Sequence, residues 1–329
     1  MNEVIKYDIG ALADKEYRRI SIGITPSNYV HLGFVFTLIS AFMYMAKHSN
    51  SSLEVCITDR DVDPQLGRVF RPYHLLEDKD DACHGLISDH VESELELLRS
   101  DFCSFFHVDS QKVDIVFFND LMKQETSFFG ELKPFLLERD KSKRLKEALF
   151  DRSGKYWEVP FSPVCPDCGY SNSHLGSINR NTELLASACY KPGCVNEERN
   201  DLAVVSIHNP EAYNVHYMIP PARDVFDLER SPRADLHIFG GDFDREHGTK
   251  KIRKYERALN VMRLFSPHPP SIYIGPELRL GGQKISKSTG MFFPYVSNDS
   301  DFQNRFLKAA VQELSKGRNE VVDLALYTF

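Results

Sequence analysis

The stretch that decides the fold reads Arg19-Ile20-Ser21-Ile22-Gly23-Ile24-Thr25-Pro26-Ser27-Asn28-Tyr29-Val30-His31-Leu32-Gly33. Its apolar first part, 19–24, predicts a buried strand, and the apolar run at 32–46 predicts a buried helix directly after it. The turn between them would lie at the carboxyl end of the strand, where open α/β sheets bind their ligands. The free amides and the dipole of a helix N-terminus also favour phosphate there.

Outward from this stretch, short apolar runs alternate with longer amphipathic segments. Predicted strands lie at 53–58, 113–118, 235–239 and 271–274, and predicted helices lie within 80–106, 120–150, 248–265 and 300–316, with 120–150 forming one helix or a pair. Such alternation is typical of βαβ units around a parallel sheet. The sequence therefore predicts the α/β fold class, with a Rossmann-like nucleotide-binding fold that is split by an insertion.

Local composition divides the chain into four parts. Between 153 and 221, prolines, glycines, asparagines and cysteines dominate and the long periodic segments stop. We predict the first half of a Rossmann-like catalytic domain at 1–152 and a zinc-binding insertion at 153–221. The second half of the catalytic domain follows at 222–298, and a short helical tail occupies 299–329.

Overall composition excludes several classes of protein. The chain has 329 residues, of which 42% are hydrophobic and 26% charged, which excludes a mostly disordered or fibrous protein. Its net charge of −7 argues against a general nucleic-acid coat. The longest apolar stretch, Leu32 to Ala46, is short for a membrane span, and the N-terminus lacks the apolar core of a signal peptide. We therefore expect a cytoplasmic protein with no membrane or DNA partner.

A second segment whose residues could take part in catalysis is Gly281-Gly282-Gln283-Lys284-Ile285-Ser286-Lys287-Ser288-Thr289-Gly290. Two lysines three residues apart, among glycines and serines, suit a loop that closes on a triphosphate. The alternative is a solvated basic loop. In the first segment, His31 can donate a hydrogen bond to a phosphate oxygen, and Gly33 leaves room for a base or ribose. A chance strand-loop-helix connection is the alternative there.

Four of the seven cysteines cluster in the predicted insertion. A Cys-x-x-Cys pair followed about twenty residues later by a Cys-x4-Cys pair suits a closed, structural, tetrahedral zinc site. The predicted ligands are Cys165, Cys168, Cys189 and Cys194, and His174 could replace one of them. Four free thiols in an irregular subdomain are the alternative.

Basic residues also fall on one face of the helix predicted after Gly248. Lys250, Arg253, Lys254 and Arg257 have the spacing of such a face. This face could contact an RNA backbone, although a solvated helix surface is the simpler interpretation.

The two glycine-containing segments together resemble a known pair of signatures. Pro-Ser-x-x-x-His-x-Gly at 26–33 and Lys-Ile-Ser-Lys-Ser at 284–288 resemble the paired motifs of class I aminoacyl-tRNA synthetases. Within that superfamily, the class I lysyl-tRNA synthetases look most similar. They share the Gly-Ile-Thr-Pro-Ser opening at 23–27, a cysteine-bearing middle and a Gly-Gly-Asp segment at 240–242. The resemblance covers roughly 18–295 and implies the class I synthetase type of Rossmann-like fold.

This resemblance implies an activity and a set of site residues. The activity is in-line attack of an amino-acid carboxylate on the α-phosphate of ATP, with Mg²⁺ bound to the ATP. The implied catalytic residues are His31, Lys284 and Lys287. The implied ATP-binding residues are Pro26, Ser27, His31, Gly33, Gly240, Gly241, Asp242, Lys284, Lys287 and Ser288. The implied amino-acid-binding residues are Gly23, Thr25 and Tyr273. Asp59, with its neighbours Asp61 and Asp63, is a candidate partner for a cationic substrate such as lysine, with a polar loop as the alternative.

The acceptor of the activated amino acid is open at the level of sequence. Class I lysyl-tRNA synthetases continue into a helical anticodon-binding domain, whereas 39 residues follow Gly290 here, so we expect a catalytic core without that domain. One hypothesis is transfer to a tRNA acceptor end or a tRNA-like molecule. A second is transfer to a carrier protein, a small molecule or a protein side chain. A third is a non-catalytic nucleotide-binding module, against which the lysine pair at 284 and 287 argues.

Overall fold

The computed structural model describes residues 3–25, 30–58, 62–63, 69–70, 87–123, 128–149, 161–169, 177–189, 192–199, 201–216, 218–225, 234–247, 252–285, 295 and 300–324. Within these ranges the strands are β1 (Val4–Lys6), β2 (Arg19–Ile24), β3 (Ser52–Ile57), β4 (Val62–Asp63), β5 (Val69–Phe70), β6 (Val113–Phe117), β7 (Phe161–Pro163), β8 (Ser177–Asn179), β9 (Leu184–Ala188), β10 (Leu202–Ser206), β11 (Tyr213–Val215), β12 (Leu236–Phe239), β13 (Glu246–His247), β14 (Ile252–Arg253), β15 (Ser271–Ile274), β16 (Glu277–Leu280), β17 (Gln283–Lys284) and β18 (Val321–Asp323). The α-helices are α1 (Ile9–Ala13), α2 (Leu32–Lys47), α3 (Ile87–Phe106), α4 (Phe118–Lys123), α5 (Phe128–Leu137), α6 (Arg139–Leu149), α7 (Val195–Glu198), α8 (Lys254–Phe265) and α9 (Ser300–Ser315).

The centre of the fold is a six-stranded sheet in the order β1-β15-β12-β2-β3-β6. All of its strand pairs are parallel. From β2 the chain runs outward to β3 and β6, and it later returns to the other side of β2 as β12 and β15. The predicted α/β fold class with a Rossmann-like parallel sheet is confirmed, and β1 from the N-terminal part of the chain pairs with β15 at the far edge.

Helices cover both faces of this sheet and enclose two hydrophobic cores. The first core contains residues of α1, α2, α3 and α9, and the second contains residues of α4, α5, α6 and α8. The side chains of a strand alternate between the faces, so Ile20, Ile22 and Ile24 of β2 enter the first core. On the opposite face, Cys56 of β3 and Phe239 of β12 enter the second core. Both faces of the sheet are therefore buried, as a parallel sheet requires.

Small antiparallel sheets occupy the middle of the chain. β7 pairs with β11, and β8, β9 and β10 form a three-stranded sheet. Ile178 and Leu185 of this sheet pack into the second core. The predicted domain boundaries remain predictions, and the one at 221 falls inside the buried 3-10 helix Pro220–Val225.

Most of the predicted elements are confirmed, with three differences. The region 120–150 contains three helices, α4 to α6, rather than one or two. The helix predicted from 248 begins only at Lys254, because β13 and β14 pair before it and Glu256 accepts a hydrogen bond from the Arg253 amide at 3.0 Å. The tail adds a strand as well as a helix, since β18 pairs with β16. None of the helices in the described ranges is long and apolar enough to cross a membrane.

A buried carboxylate holds the segment that leads into α2. Glu94 of α3 is buried and accepts a hydrogen bond from the backbone amide of Val30, which directly precedes His31. Burial raises the pKa of Glu94 to about 7, although the hydrogen bond from Val30 lowers it. His90 lies close by, with its Nε2 atom 3.5 Å from Oε1 of Glu94.

We expect Glu94→Gln to remove a pH-dependent part of the stability. The folded-state pKa of Glu94 is raised, so its contribution is fully present below the unfolded pKa of about 4.5 and is lost as the pH rises through about 7. Between about pH 5 and pH 8 the wild type should therefore lose on the order of 3 kcal/mol relative to the variant, whose amide still accepts from Val30. Urea unfolding at both pH values measures this. An equal stability difference at the two pH values would contradict the assignment.

Candidate active site

A cavity of about 440 Å³ opens at the carboxyl ends of β2 and β12. These strands are neighbours in the sheet, but α2 follows β2 on the first core and α8 follows β12 on the second. The cavity therefore lies at the topological switch point, where open α/β sheets bind ligands. Its walls are the end of β2, the start of α2, the segment after β12 and the β16–β17 hairpin.

The N-terminus of α2 forms one wall. His31 caps the helix, and its Nδ1 atom accepts a hydrogen bond from the Phe34 amide at 3.3 Å. Because Nδ1 is the acceptor, the ring proton lies on Nε2, which can donate to a phosphate oxygen. A Cβ atom on Gly33 would lie 3.1 Å from the His31 Nδ1 atom, closer than an ordinary contact. Glycine at this position thus lets the imidazole fold back over the helix end.

The Gly-Gly-Asp segment after β12 forms a second wall, in the 3-10 helix Gly241–Asp244. A Cβ atom on Gly241 would lie 2.6 Å from the backbone nitrogen of Glu277, so only glycine fits there without a backbone shift. Asp242 forms an ion pair with Lys254, with its Oδ2 atom 3.0 Å from Nζ. The segment brings backbone amides and one carboxylate to the edge of the cavity.

Cations gather at the mouth of the cavity around one carboxylate. Glu277 forms ion pairs with Arg245, with Arg279 at 3.1 Å and with Lys284 at 3.6 Å. Burial would raise the pKa of Glu277, but the hydrogen bonds from Arg245 and Arg279 lower it overall. For Lys284, burial and the nearby Arg245 lower the pKa, against the opposing effects of Glu277 and Asp242. Three cations on one carboxylate leave this cluster positively charged, which suits a polyphosphate.

A tight turn presents Lys284 to the cavity. Gly281 and Gly282 join β16 to β17 with φ angles of +61° and +76°, the left-handed pair of a two-residue hairpin turn that favours glycine. The Gly282 amide donates to Asp323 Oδ2 of β18 at 2.8 Å. The C-terminal strand thus supports the hairpin.

The floor of the cavity holds a buried network of charges. Arg223 and Asp224 come from the 3-10 helix Pro220–Val225, and His237 comes from β12. Asp224 accepts a hydrogen bond from Nδ1 of His237, and the Arg223 Nε atom lies 3.5 Å from Glu54 and 3.6 Å from Asp224. Full burial would lower the pKa of Arg223, but Cys56, Asp224 and Glu54 raise it above its usual value. Arg223 and Asp224 therefore form a charged pair deep in the site.

No protein family model and no curated protein matches this sequence. Among solved structures, the chain is similar to tyrosyl-tRNA synthetase from Archaeoglobus fulgidus complexed with L-tyrosine, at 13% identity and a TM-score of 0.42, over 96% of this chain and 72% of that one. It is also similar to tyrosyl-tRNA synthetase from Aeropyrum pernix, at 13% identity and a TM-score of 0.42, over 92% and 65%. Tryptophanyl-tRNA synthetase from Campylobacter jejuni is similar at 13% identity and a TM-score of 0.38, over 91% and 67%. The fold class rests on the sheet order and register of this chain itself.

The cavity brings together many of the residues named from the sequence. Those that line it are Gly23, Thr25, His31, Gly33, Gly240, Gly241, Asp242 and Lys284. The residues Pro26, Ser27, Asp59, Lys287 and Ser288 lie outside the described ranges, as do Lys250 and His174.

Tyr273 is the exception among the described site residues. Its side chain is fully buried and belongs to the first core, so it does not line the cavity. The alternation of β15 explains this placement, since Ile272 and Ile274 point to the second core and Tyr273 to the opposite face. The structure therefore does not bring Tyr273 to the cavity, and its contact with the amino acid stays a prediction.

The predicted basic helix face also differs from expectation. Lys254 pairs with Asp242, and Arg253 pairs with Asp244 at 2.6 Å. Arg257 is buried and donates to the carbonyl of Leu149 at 3.2 Å. Arg257 thus packs into the fold, whereas Arg253 and Lys254 stay partly exposed in ion pairs with carboxylates, so these three described residues do not form one uniform basic face.

The sequence analysis did not identify the buried charges on the cavity floor. It also did not identify Glu277, the carboxylate that pairs with the cations at the mouth. Arg223 and Asp224 form a charged pair inside the apolar run 218–225, and His237 interrupts an otherwise apolar strand. A charged pair or a histidine in a segment that is otherwise buried is the signal that could have found them. Glu277 carries no such signal, because its role depends on the three cations that the fold brings to it.

The four predicted zinc ligands come together in the predicted insertion. All four Sγ atoms lie within 4.8 Å of one another, with 3.7 Å between Cys165 and Cys194 and 3.6 Å between Cys168 and Cys189. Gly169 and Gly193 adopt φ angles of +69° and +78° beside the cysteines. Burial would raise the pKa of Cys194, but hydrogen bonds from Cys168 and from backbone amides lower it to about 7. This group of thiols could hold a metal ion.

Proposed function

We propose that the chain catalyses ATP-dependent activation of an amino acid, with formation of an aminoacyl adenylate. The observation that carries this proposal is the meeting of His31 and Lys284, from segments at opposite ends of the chain, at one cavity in a switch-point position. Both segments were picked out by their resemblance to the paired motifs of class I aminoacyl-tRNA synthetases. A donor at a helix N-terminus and a lysine on a glycine hairpin are suited to hold opposite parts of a triphosphate.

In this proposal the protein positions the reactants rather than supplying a nucleophile. The carboxylate of the amino acid attacks the α-phosphorus in line, the bond to the bridging oxygen breaks, and pyrophosphate leaves. Nε2 of His31 donates to a phosphate oxygen, and Lys284 neutralises charge that builds up on the departing pyrophosphate. The Gly240-Gly241-Asp242 segment faces the ribose, and Asp242 accepts from it. Mg²⁺ would accompany the ATP.

Amino-acid-dependent exchange of labelled pyrophosphate into ATP tests this function. Each standard amino acid, ornithine and a β-amino acid are supplied separately with the full chain. We expect exchange above background with a small subset of them. No exchange with any member of the panel would contradict the proposed function. It would also contradict the lysine-like specificity that the resemblance implies.

For the acceptor, we propose a tRNA or tRNA-like molecule, with transfer to another acceptor as the alternative. The ion pairs of Arg253 with Asp244 and of Lys254 with Asp242 weigh toward the alternative, because they partly neutralise the basic surface that an RNA backbone would use. Incubating the enzyme, ATP and a labelled substrate amino acid with total tRNA separates the two. Label in acid-precipitable RNA supports the first, and its absence alongside robust pyrophosphate exchange supports the second.

We also propose that the four clustered cysteines hold one structural zinc ion. Ligands about 2.3 Å from a tetrahedral zinc are about 3.8 Å apart, close to the Sγ separations of 3.6 and 3.7 Å here. The Asn196 side-chain amide donates to Cys165 Sγ at 3.3 Å, as partners of thiolate ligands do. Clustered reduced thiols suit the reducing cytoplasm.

A further inference from the structure

We infer that the Asp224–His237 pair recognises the side chain of the amino-acid substrate, and that this side chain carries a hydrogen-bond donor, a hydroxyl or an amine, on an apolar stem. The inference rests on the proposed function and names the class of substrate. Neither residue belongs to the motifs that carry the resemblance.

His237 lines the floor of the cavity. It lies on β12 opposite Ser21 of β2, deeper in the sheet than Gly23. Gly23 leaves space on this floor, because a Cβ atom there would meet nothing nearer than Thr58 Cγ2 at 3.8 Å. Packing among the described residues therefore does not require glycine at 23. Its missing side chain keeps the approach to His237 open.

The hydrogen bond to Asp224 sets the tautomer of the His237 imidazole. Asp224 is fully buried, and although burial raises its pKa, the charge of Arg223 lowers it overall, so it is a carboxylate. A carboxylate only accepts hydrogen bonds, so the ring proton of the neutral imidazole lies on Nδ1 and its lone pair lies on Nε2. No residue in the described part of the chain hydrogen-bonds Nε2. A ligand that satisfies this buried acceptor must be a donor.

The charges beside His237 are balanced by one another. Arg223 donates to the carbonyl of Pro220 at 3.0 Å and to the hydroxyl of Ser21 at 2.6 Å, and it pairs with Asp224 and Glu54. Glu54 also pairs with Arg19. Two arginines and two carboxylates balance one another, so Arg223 is committed to the fold rather than to a substrate carboxylate. An acidic side chain would find no uncompensated cation on this floor.

An aromatic wall lies beside the imidazole of His237. The ring of Phe239 lies 4.2 Å from His237, and Phe243 stacks on Phe239 at 4.2 Å with an angle of 13° between the rings. Both phenylalanines line the cavity. This wall suits the apolar stem of a side chain whose donor reaches Nε2.

The test compares pairs of amino acids that differ only in the donor, in the pyrophosphate exchange assay. Tyrosine against phenylalanine and threonine against valine report on a hydroxyl, and lysine against norleucine reports on an amine. For one pair, the wild type should prefer the donor-bearing member by about 100-fold or more in kcat/KM. His237→Phe keeps a ring of similar shape without nitrogen and should reduce this preference to less than about threefold, through KM for the donor-bearing member. The matched control is His268→Phe, at an exposed loop position remote from the cavity, which should keep the wild-type preference.

A second variant covers failure of His237→Phe to fold, as judged by its melting temperature. In Asp224→Asn the amide can donate to Nδ1 and move the ring proton to Nε2, so the same preference should fall. Exchange that persists with an unchanged preference in a folded variant, or a wild type that favours the members without a donor, would overturn the inference while leaving the proposed function intact. A complete absence of exchange with every amino acid would overturn both.

Discussion

Lys284→Ala should lower the rate of amino-acid-dependent pyrophosphate exchange by about two to three orders of magnitude. Lys284 lies on β17 at the mouth of the cavity, with its side chain only 14% exposed. A cation with so little water around it interacts strongly with the charge that develops on a departing pyrophosphate. Removing it leaves Glu277 facing that charge with fewer cations around it.

This effect should be large because Lys284 exchanges one anion, the carboxylate of Glu277, for another, the triphosphate. In the structure Lys284 faces Glu277 at 3.6 Å, and burial and Arg245 lower its pKa. A triphosphate offers more negative charge than one carboxylate, so the ammonium group gains interaction energy when it turns to the phosphates. Most of that gain is expected in the transition state, and the loss should therefore appear in kcat more than in KM for ATP.

Two further variants make the measurement specific. Lys284→Arg keeps a cation and should recover part of the rate, because the larger planar guanidinium cannot reproduce the position of the ammonium. Arg279→Ala removes another cation that pairs with Glu277 on the same hairpin, but Arg279 does not line the cavity, so the rate should change by less than about threefold. Equal losses in Arg279→Ala and Lys284→Ala, or a full rate in folded Lys284→Ala, would remove the proposed role of this lysine.

The sequence predicted the layout of the fold well because each element there is decided locally. The strand at 19–24 and the helix at 32–47 follow from apolar periodicity and need little help from distant residues. Where the prediction was wrong, a tertiary contact decided the outcome. Nothing in the spacing of 248–253 reveals that β13 and β14 would pair and delay the start of α8.

The site divides in the same way between local and distant determinants. His31 and Lys284 lie in segments whose glycines and polar residues announce a turn, so the sequence could point to them. Tyr273 was assigned to the site from a resemblance, but its strand position turns the ring into the first core. His237 and Asp224 were missed because their meaning arises only when a 3-10 helix and a strand, 13 residues apart in the chain, place them together.

Removal of the zinc ion, or the substitution Cys165→Ser, should unfold the small subdomain that surrounds the cysteine cluster. Apparent binding free energies of structural zinc are about 10–16 kcal/mol, and in small metal-bound folds this energy is folding energy. The hydrophobic cluster around the sulfur atoms supports this expectation, since its buried members are Cys165, Cys189, Cys194 and Ala203. Little apolar surface in that cluster remains to hold the loops once the metal is gone.

The purified protein should contain about one zinc ion per chain by elemental analysis. Treatment with a strong chelator should release it, expose four additional reactive thiols and abolish the protection of backbone amides in 161–169, 177–189 and 201–206 against hydrogen exchange. Cys103→Ser is the matched control, because Cys103 is buried in the first core, away from the cluster. That variant should lose stability from packing alone and keep its zinc.

The separations between the sulfur atoms do not fit disulfide bonds, the covalent way in which four cysteines could hold this segment. A disulfide places its two sulfur atoms about 2.05 Å apart, whereas the Sγ separations here are 3.6 and 3.7 Å, near those expected across a tetrahedral zinc. A protein that contains no metal and still protects these amides would contradict the zinc assignment. Because Ile178 and Leu185 of the same small sheet pack into the second core beside α4 to α6 and α8, loss of the zinc should also lower the stability of the catalytic fold.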